Sequence, residues 1–548
     1  MNLEGINIKE VLLKGNYVTF EDIAKAEEYT ATHHKTVLEY LLGQGILTKE
    51  LLGQAISESY FTSFADLANK PPGRELVLKI PAEVANQYHV VLVQESEHTV
   101  LVATDNPTQK DLVGILKPFF GEKKIFLAFA FFEDLENLFI HYRQSLEARF
   151  IQIIKSQKKV ATEILDQIFS DALIYRASDI HFEPKEEEVW TRFRIDGVLH
   201  EVGKIPKSYY ENILNRIKVQ AHLKIDEHFS AQDGSIRFIK DSTNIDIRIS
   251  IVPTVNGEKV VMRLLTEYVK NLGLSDLGLN DQAYSEISIS AKRPFGMILV
   301  SGPTGSGKTT TLYALLKTFN HDEINITTIE DPVEYRIPSM NQIQVNAATN
   351  LTFADGLRSI LRQDPDIILV GEIRDIATAE VAINAALTGH LLFSTFHAND
   401  SATVIPRLLD MGVEPYLVAS TLEMVVAQRL LRRLCEACRY SVTINQTELM
   451  AQFPMVAKYF SAANNTFYRG KGCSSCNNTG YKGRVGIFEY FRINKELQEL
   501  IVKIPTSKEI LDLVRNKGFR TLFEDGLEKI KNGTTSLEEL IRVSPPTL

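Results

Sequence analysis

The sequence contains little cysteine and no long apolar segment. Only four of its 548 residues are cysteines, and the first is Cys435, so a disulfide framework is not expected. The longest apolar run, residues 125–132, is far shorter than the roughly 20 residues of a membrane-spanning helix. Residues 1–10 have neither the basic nor the apolar region of a secretory signal. These absences predict a soluble, cytoplasmic protein.

The chain also lacks a basic surplus. It has 60 Lys and Arg against 69 Asp and Glu, which gives a formal net charge of −9. Proteins whose main partner is duplex nucleic acid usually carry excess positive charge, so no nucleic-acid partner is expected. A content of 44% hydrophobic and 24% charged residues is that of globular protein. At roughly 150 residues per domain, the length predicts three or four domains.

The first predicted domain covers residues 1–145 and begins with a weak repeat. The pattern of residues 12–19 recurs at 41–48, and each copy ends in a threonine, Thr19 or Thr48, before a helical pattern. Because threonine is a good helix N-cap, we expect two helical hairpins, followed by a small α/β unit. Residues 146–160 are predicted to form a linker.

The second predicted domain, 161–275, alternates helical and strand patterns. Several of its arginines alternate along the predicted strands and therefore share one face of the sheet. They are Arg192, Arg194, Arg237, Arg248 and Arg263. A solvated basic strand face has the same pattern, but arginines beside a nucleotide site can also complete that site across a subunit boundary.

The third predicted domain, 281–548, contains short apolar runs at 297–300, 326–329, 367–370 and 391–394. Such runs, separated by helical patterns, are typical of buried strands in a mainly parallel sheet. The C-terminal part of this domain, 495–548, is predicted to be helical. Gly518, Gly526 and Gly533 are expected to be breaks between its helices.

A glycine-rich segment follows the first of these strands and precedes a helical pattern. It reads Gly302, Pro303, Thr304, Gly305, Ser306, Gly307, Lys308 and Thr309, followed by Thr310. This is the P-loop pattern, in which backbone N–H groups cradle phosphate oxygens. Lys308 is expected to reach the β- and γ-phosphates, and Thr309 to bind Mg²⁺. The alternative is an ordinary Gly-rich turn, which would not need the strand, motif and helix in register.

Acidic residues and histidines follow the later strands. Glu372 follows the apolar run at 367–370. Between them lies Gly371, at the position where the second nucleotide motif usually has an aspartate. Glu330 follows 326–329, where it can orient or deprotonate an attacking water. His390 and His397 bracket the last strand, and His397 can donate to the γ-phosphate. Each residue also has a purely structural interpretation. Glu372 could lie on a strand that happens to end in Glu, and Glu330 could belong to a solvated acidic turn. The two histidines could be packed and hydrogen-bonded.

The four cysteines form two CxxC pairs, Cys435 with Cys438 and Cys473 with Cys476. Two such pairs predict a structural zinc site of four thiolates with no open position. The gap between the pairs is longer than in a typical zinc ribbon, so a small inserted subdomain within 431–486 is expected. The alternative is four free or disulfide-paired cysteines.

Together these motifs resemble the secretion ATPase superfamily, most closely type II secretion ATPases (GspE type) and type IV pilus assembly ATPases (PilB type). The resemblance runs from about residue 161 to the C-terminus. The segments that carry it are 177–184, 194–197, 232–234, 329–332, 362–366, 388–400 and 480–484.

The resemblance implies an α/β fold. A RecA-like P-loop ATPase domain would follow a PAS-like α/β domain and an N-terminal domain of helical hairpins plus a small α/β unit. The resemblance also implies a homo-hexameric ring that uses ATP and Mg²⁺ and holds structural Zn²⁺.

Residue roles also follow from the resemblance. Glu330 would be the catalytic carboxylate and Glu372 the carboxylate associated with Mg²⁺, while 388–400 resembles the family's histidine box. Arg248 and Arg263 are the best matches for the arginines that complete the ATP site, and Arg237 is next. Because this chain has Ser235 where the family often has arginine, the arginine assignment stays open.

The implied function is a motor that hydrolyses ATP to power type IV pilus assembly at the inner membrane. The alternatives are type II protein export, a nucleic-acid ring motor and a nucleotide-binding scaffold without turnover. The N-terminal domain would dock on an inner-membrane platform protein and a cytoplasmic docking protein, giving peripheral membrane association. In some relatives this domain binds cyclic di-GMP through Arg-Leu-Gly starts, but here residues 7–9 and 36–38 lack both the arginine and the glycine. Nucleotide sensing is therefore not expected.

Overall fold

The structure is a computed structural model that describes residues 8–32, 36–43, 46–139, 142, 160–240, 243–265, 272–321, 323–460, 462, 464–477 and 479–546. Two compact units divide the chain. One comprises the described residues before 149 with Cys435–Cys438 and Lys471–Gly480, and the other comprises the rest. The predicted linker lies outside the described residues except for Val160. Among the described helices, none is long and apolar enough to cross a bilayer.

The first unit is built from short helices and one small sheet. Its helices are α1 (Ile8–Lys14), α2 (Phe20–Thr32), α3 (Val37–Gly43), α4 (Lys49–Ser59), α5 (Arg74–Val77), α6 (Ala82–Tyr88), α7 (Leu112–Phe120) and α8 (Phe132–Phe139). Its strands are β1 (Ser63–Phe64), β2 (Val90–Glu95), β3 (Thr99–Thr104) and β4 (Lys124–Phe129), in the order β1-β4-β3-β2.

The two predicted helical hairpins are confirmed. The Thr48 hydroxyl accepts a hydrogen bond from the backbone N–H of Leu51 at 3.2 Å, which caps α4, and Thr19 accepts one from Asp22 at 3.1 Å. Leu12 and Leu41, which occupy equivalent places in the repeat, are buried in one shared core. Helix α7 of the small α/β unit begins at Leu112, directly after Asp111, which has a left-handed backbone.

The second unit begins with a six-stranded antiparallel sheet, ordered β7-β6-β5-β10-β9-β8. The strands are β5 (Asp179–Pro184), β6 (Glu188–Ile195), β7 (Val198–Pro206), β8 (Gln232–Lys240), β9 (Thr243–Thr254) and β10 (Gly257–Leu265), with helices α9 (Val160–Ile174) and α10 (Lys207–Gln220). Arg263 pairs in register with Arg248 on one side and with Asp179 on the other, and Asp179 pairs with Arg194. Residues paired in this way share a face, so the predicted arginine face is confirmed.

A seven-stranded sheet forms the centre of the remaining chain, ordered β13-β12-β14-β15-β11-β16-β19. Its strands are β11 (Gly296–Ser301), β12 (Ile326–Glu330), β13 (Asn341–Gln344), β14 (Ile367–Val370), β15 (Leu391–Phe396), β16 (Leu422–Leu434) and β19 (Tyr481–Arg492). Only the pairing of β19 with β16 is antiparallel among these described strands. The four apolar runs are therefore parallel strands, as predicted.

Apolar cores cover both faces of this sheet. Met297 and Leu299 face one core, whereas Ile298 and Val300 face the other, which explains why the runs are continuously apolar rather than alternating. The surrounding helices are α11 (Asp281–Ala291), α12 (Lys308–Lys317), α13 (Phe353–Ile360), α14 (Ile376–Leu387), α15 (Val404–Asp410) and α16 (Pro415–Thr421). The expected α/β fold is thus confirmed.

An inserted hairpin and C-terminal helices complete the chain. The insertion contains β17 (Arg439–Asn445), α17 (Gln446–Gln452) and β18 (Asn464–Gly470), which lie between the two CxxC pairs. The last helices are α18 (Lys495–Ile501), α19 (Ser507–Arg515), α20 (Leu522–Lys531) and α21 (Leu537–Val543).

One predicted helix break was wrong. Gly518 and Gly533 lie between helices, but Gly526 lies inside α20. A Cβ at Gly526 would come within 2.3 Å of Leu540 in α21. This glycine therefore permits close packing of two helices and does not end one.

A buried ion pair in the antiparallel-sheet domain gives a stability test. Lys218 is fully buried and its Nζ lies 2.7 Å from Oε1 of Glu258. Glu258→Gln leaves the buried ammonium without its counter-ion, so we expect a loss of about 3–5 kcal/mol in the free energy of unfolding. Trp190, the single tryptophan, lies in this sheet, and its fluorescence during urea unfolding measures the change.

The matched control is Asp246→Asn in the exposed pair between Arg237 and Asp246, which are 65% and 57% exposed. We expect it to cost less than about 1 kcal/mol. Equal losses in the two variants would contradict the assignment of stability to the buried pair.

Candidate nucleotide site and cysteine cluster

The loop 302–307 connects β11 to α12 and turns sharply at its glycines. Backbone φ is +147° at Gly302, +77° at Gly305 and +89° at Gly307, values that favour glycine. A Cβ on Gly302 would lie 2.5 Å from the carbonyl oxygen of Gln428 on β16. The loop therefore passes close to β16 at a point where a larger residue would clash.

Lys308 is the first residue of α12, and its amine is hydrogen-bonded to the backbone of loop 302–307. Its Nζ donates to the carbonyl oxygens of Gly302 at 2.8 Å and Pro303 at 3.1 Å. Burial lowers the pKa of Lys308, and the charge of Glu372 opposes that shift. The Oγ of Ser306 is buried without a hydrogen-bond partner among the described residues. An inward amine and an unpaired hydroxyl fit a phosphate group as the ligand.

The remaining residues of the motif line its rim. Thr304 and Gly305 are exposed, while Thr309 and Thr310 are half-buried in the first turn of α12. A threonine hydroxyl directly after Lys308 fits the donor set for Mg²⁺ bound to a nucleotide.

Glu372, which follows β14, lies in a charged group close to Lys308. The Oε2 of Glu372 is 2.6 Å from Nε of Arg374 and 3.2 Å from Nε2 of His397. Glu372 is 8% exposed. Its carboxylate is bonded to Arg374 and His397, and it interacts electrostatically with Lys308. Sequence reasoning missed Arg374, although an arginine two residues after a strand-end glutamate was a visible signal.

Glu330 ends β12 and is turned into the protein. Its carboxylate accepts hydrogen bonds from the hydroxyls of Tyr313 and Thr328 and, at 3.4 Å, from the amide of Gln342. Burial raises the pKa of Glu330. Among the described residues, no hydrogen bond or ion pair joins Glu330 to Lys308. The reason is that β12 lies three positions from β11 in the sheet, roughly 14 Å at the usual strand spacing.

The two histidines lie at opposite ends of β15. His397 follows the strand at the edge that carries loop 302–307, since β15 runs parallel to β11 in register. His390 precedes the strand, and its Nδ1 lies 3.0 Å from the carbonyl oxygen of Ala385. The structure therefore brings His397, but not His390, to the loop.

The predicted arginines have partners of different kinds. Arg248 donates to the carbonyl oxygen of Val333 and lies 3.3 Å from Oε2 of Glu334, in the acidic turn after β12. Arg263 pairs instead with an aspartate of its own sheet, Asp179, at 3.2 Å. Arg237 likewise pairs with Asp246 at 2.9 Å. Of these three, Arg248 alone is bonded to the parallel-sheet domain in the described chain.

The four cysteines form one compact cluster of free thiols. The Sγ–Sγ distances are 3.7 Å for Cys435 and Cys473, 3.8 Å for Cys438 and Cys476, and 3.7 Å for Cys473 and Cys476. Four sulfurs at about 2.3 Å around one zinc would be about 3.8 Å apart, so the cluster fits a tetrahedral zinc site. The backbone N–H groups of Cys473 and Gly480 donate to Sγ of Cys476, each at 3.2 Å.

The parallel sheet, the glycine loop with its inward lysine and the strand-end carboxylate define a P-loop ATPase. The family model "Type II/IV secretion system protein" matches residues 155–542, and a second model, "MshEN domain", matches residues 60–149. The chain belongs to the type II/IV secretion system protein family of ATPases.

Relatives from both branches of the family match the chain. It is 36% identical to the type IV pilus assembly ATPase PilB of Myxococcus xanthus, over 98% of each chain. It is 44% identical to the type II secretion system protein HxcR of Pseudomonas aeruginosa, over 70% of this chain and 76% of HxcR. The solved structure of the Legionella pneumophila ATPase DotB shares the fold, with a TM-score of 0.51 and 19% identity over 69% of this chain and 94% of DotB.

The loop geometry predicts different effects for two glycine substitutions. Gly302→Ala adds a clash to an unfavourable φ, and overpacking of this kind costs about 1–3 kcal/mol. Gly305→Ala meets no atom within 4 Å and carries only the φ penalty. We expect ATP to raise the thermal unfolding midpoint of Gly305→Ala much more than that of Gly302→Ala. Equal stabilisation by ATP would contradict the loop as the phosphate site.

Proposed function

We propose that the chain is the motor of type IV pilus assembly and works as a homo-hexamer that hydrolyses ATP at loop 302–307. The observation that carries the proposal of ATP hydrolysis is the convergence of Lys308, Glu372 and His397 at one edge of a parallel sheet. Carboxyl ends of such strands are where open α/β sheets bind ligands.

Each residue at this edge has a proposed task. The loop N–H groups and Lys308 bind the phosphates of ATP, and Thr309 with Glu372 holds Mg²⁺, which neutralises phosphate charge. Glu330 orients or deprotonates the attacking water. His397 senses the γ-phosphate. Its Nε2 lies 3.2 Å from Oε2 of Glu372, the carboxylate proposed to hold Mg²⁺.

Contacts between the antiparallel-sheet domain and the ATPase domain support coupling of hydrolysis to motion. Arg248 reaches the acidic turn beside Glu330. The Oδ2 of Asp196 accepts a hydrogen bond from the backbone N–H of Gly483 at 2.8 Å. We propose that Arg263 and Arg237, held in their own sheet here, complete the ATP site of a neighbouring subunit.

Pilus assembly is the function we favour over type II export. The pilus assembly relative from Myxococcus xanthus matches over 98% of each chain, whereas HxcR matches over 70% of this chain at higher identity. We attribute this difference in coverage to the N-terminal region. That region would dock on an inner-membrane platform protein and a cytoplasmic docking protein. The higher identity to HxcR keeps type II export as the second candidate.

Glu372→Gln tests the hydrolytic role. Loss of the carboxylate charge removes a proposed Mg²⁺ partner, so we expect kcat to fall at least about 100-fold while ATP still binds. Steady-state hydrolysis and binding of a fluorescent ATP analogue measure the two effects. Glu423→Gln is the matched control, since Glu423 is partly buried but bonded to Arg293 and Arg492. Unchanged turnover in Glu372→Gln would refute the assignment.

The same variant separates the two biological functions. In a deletion strain that carries wild-type protein or Glu372→Gln, we expect surface pili to disappear with the variant while protein export continues. Pili are counted by electron microscopy, and exported proteins are assayed in the same cultures. Lost export with normal pili would show a secretion motor instead.

The cysteine cluster predicts about one zinc per chain, which elemental analysis of the purified protein measures. Cys473→Ser removes one thiolate, so its zinc content is expected to fall well below that of the wild type. Ser475→Ala, in the same loop, is the control and should keep its zinc. Less than about half a zinc per wild-type chain would count against the site.

A further inference from the structure

Tyr313 links the helix of the glycine loop to Glu330. Tyr313 lies on α12, which begins with Lys308, and its side chain is fully buried. Its hydroxyl donates to Oε2 of Glu330 at the end of β12. One bond therefore joins the element that carries the phosphate loop to the proposed catalytic carboxylate.

The other partners of Glu330 are also donors. The Thr328 hydroxyl donates to Oε1 at 2.6 Å, and Nε2 of Gln342 lies 3.4 Å from the same oxygen. Gln342 is itself oriented, because its Oε1 accepts from the backbone N–H of Ile337 at 2.7 Å. Only an ionised carboxylate accepts at both oxygens without donating, so this arrangement favours the ionised form that a base needs.

The position of Tyr313 is fixed by packing. Its ring meets that of Tyr335 edge-on, with centroids 4.6 Å apart and an angle of 85° between the planes. Tyr313, Tyr335 and Glu334 are the titratable groups that face Glu330, and Arg248 is bonded to Glu334. None of the hydrogen-bond donors to Glu330 in the described chain is a cation. The neutral donors therefore orient the carboxylate, and they oppose the rise in the pKa of Glu330 that burial causes.

We propose that Tyr313 is a positioning residue that holds the carboxylate of Glu330 in the orientation needed to act on the attacking water. The proposal rests on the proposed function of Glu330. Tyr313 is fully buried, and its hydroxyl is bonded to Glu330. Tyr313 acts through Glu330, so its loss is expected to lower kcat and to leave ATP binding nearly unchanged.

Tyr313→Phe removes the hydroxyl and keeps the buried ring. In steady-state hydrolysis by the full chain, we expect kcat to fall about 10- to 100-fold, as for a misplaced catalytic group, with KM for ATP changed less than about twofold. Removal of a donor raises the pKa of Glu330, so the acidic limb of the kcat–pH profile moves to higher pH. A shift of this limb is not expected from a general loss of stability.

Two further variants separate the possible failures. Tyr210→Phe removes another buried tyrosine hydroxyl, which donates to the backbone oxygen of Glu258 at 2.7 Å, and it should leave the pH profile in place. Glu330→Gln tests the proposed function itself and should abolish turnover. If Glu330→Gln retains turnover, the role of Glu330 is wrong. If Glu330→Gln is inactive but Tyr313→Phe keeps wild-type kcat and pH profile, only the inference about Tyr313 is overturned.

Discussion

Parallel pairing of β12, β14, β15 and β11 is the constraint on which the site depends. Parallel strands point their carboxyl ends to one edge of the sheet, so Glu330, Glu372, His397 and the glycine loop all lie along that edge. The same constraint places His390, at the other end of β15, away from them. Residues distant in sequence are therefore arranged by strand order, and the strand order also decides how far each one lies from the loop.

Burial of charge is the second feature of this edge. A buried charge needs a partner, and in this structure each one has internal partners. Lys308 donates to carbonyls of its own loop, Glu330 accepts from neutral donors, and Glu372 pairs with Arg374 and His397. In the proposed function, a phosphate of ATP takes the place of the loop carbonyls as the partner of Lys308, which links binding to a rearrangement of the site.

The arginine face shows how one sheet can serve two roles. Arg263 and Arg194 both flank Asp179, and their charges stabilise that sheet. The side chain of Arg248, on the neighbouring strand, bonds instead to the acidic turn after β12. A movement of either domain would therefore act on the segment that carries Glu330.

The sequence alone determined the parallel-sheet domain, the P-loop, the cysteine cluster and the helical repeats, because each depends on local residue spacing. The strand β5 has no alternating apolar pattern in the sequence, since all six of its residues are buried and Asp179, His181 and Glu183 interrupt the apolar residues. The role of Gly526 in helix packing, the group of Arg374 with Glu372, and the donors around Glu330 were decided by tertiary structure. These features depend on contacts between segments far apart in the chain, and no local spacing encodes which side chains meet there.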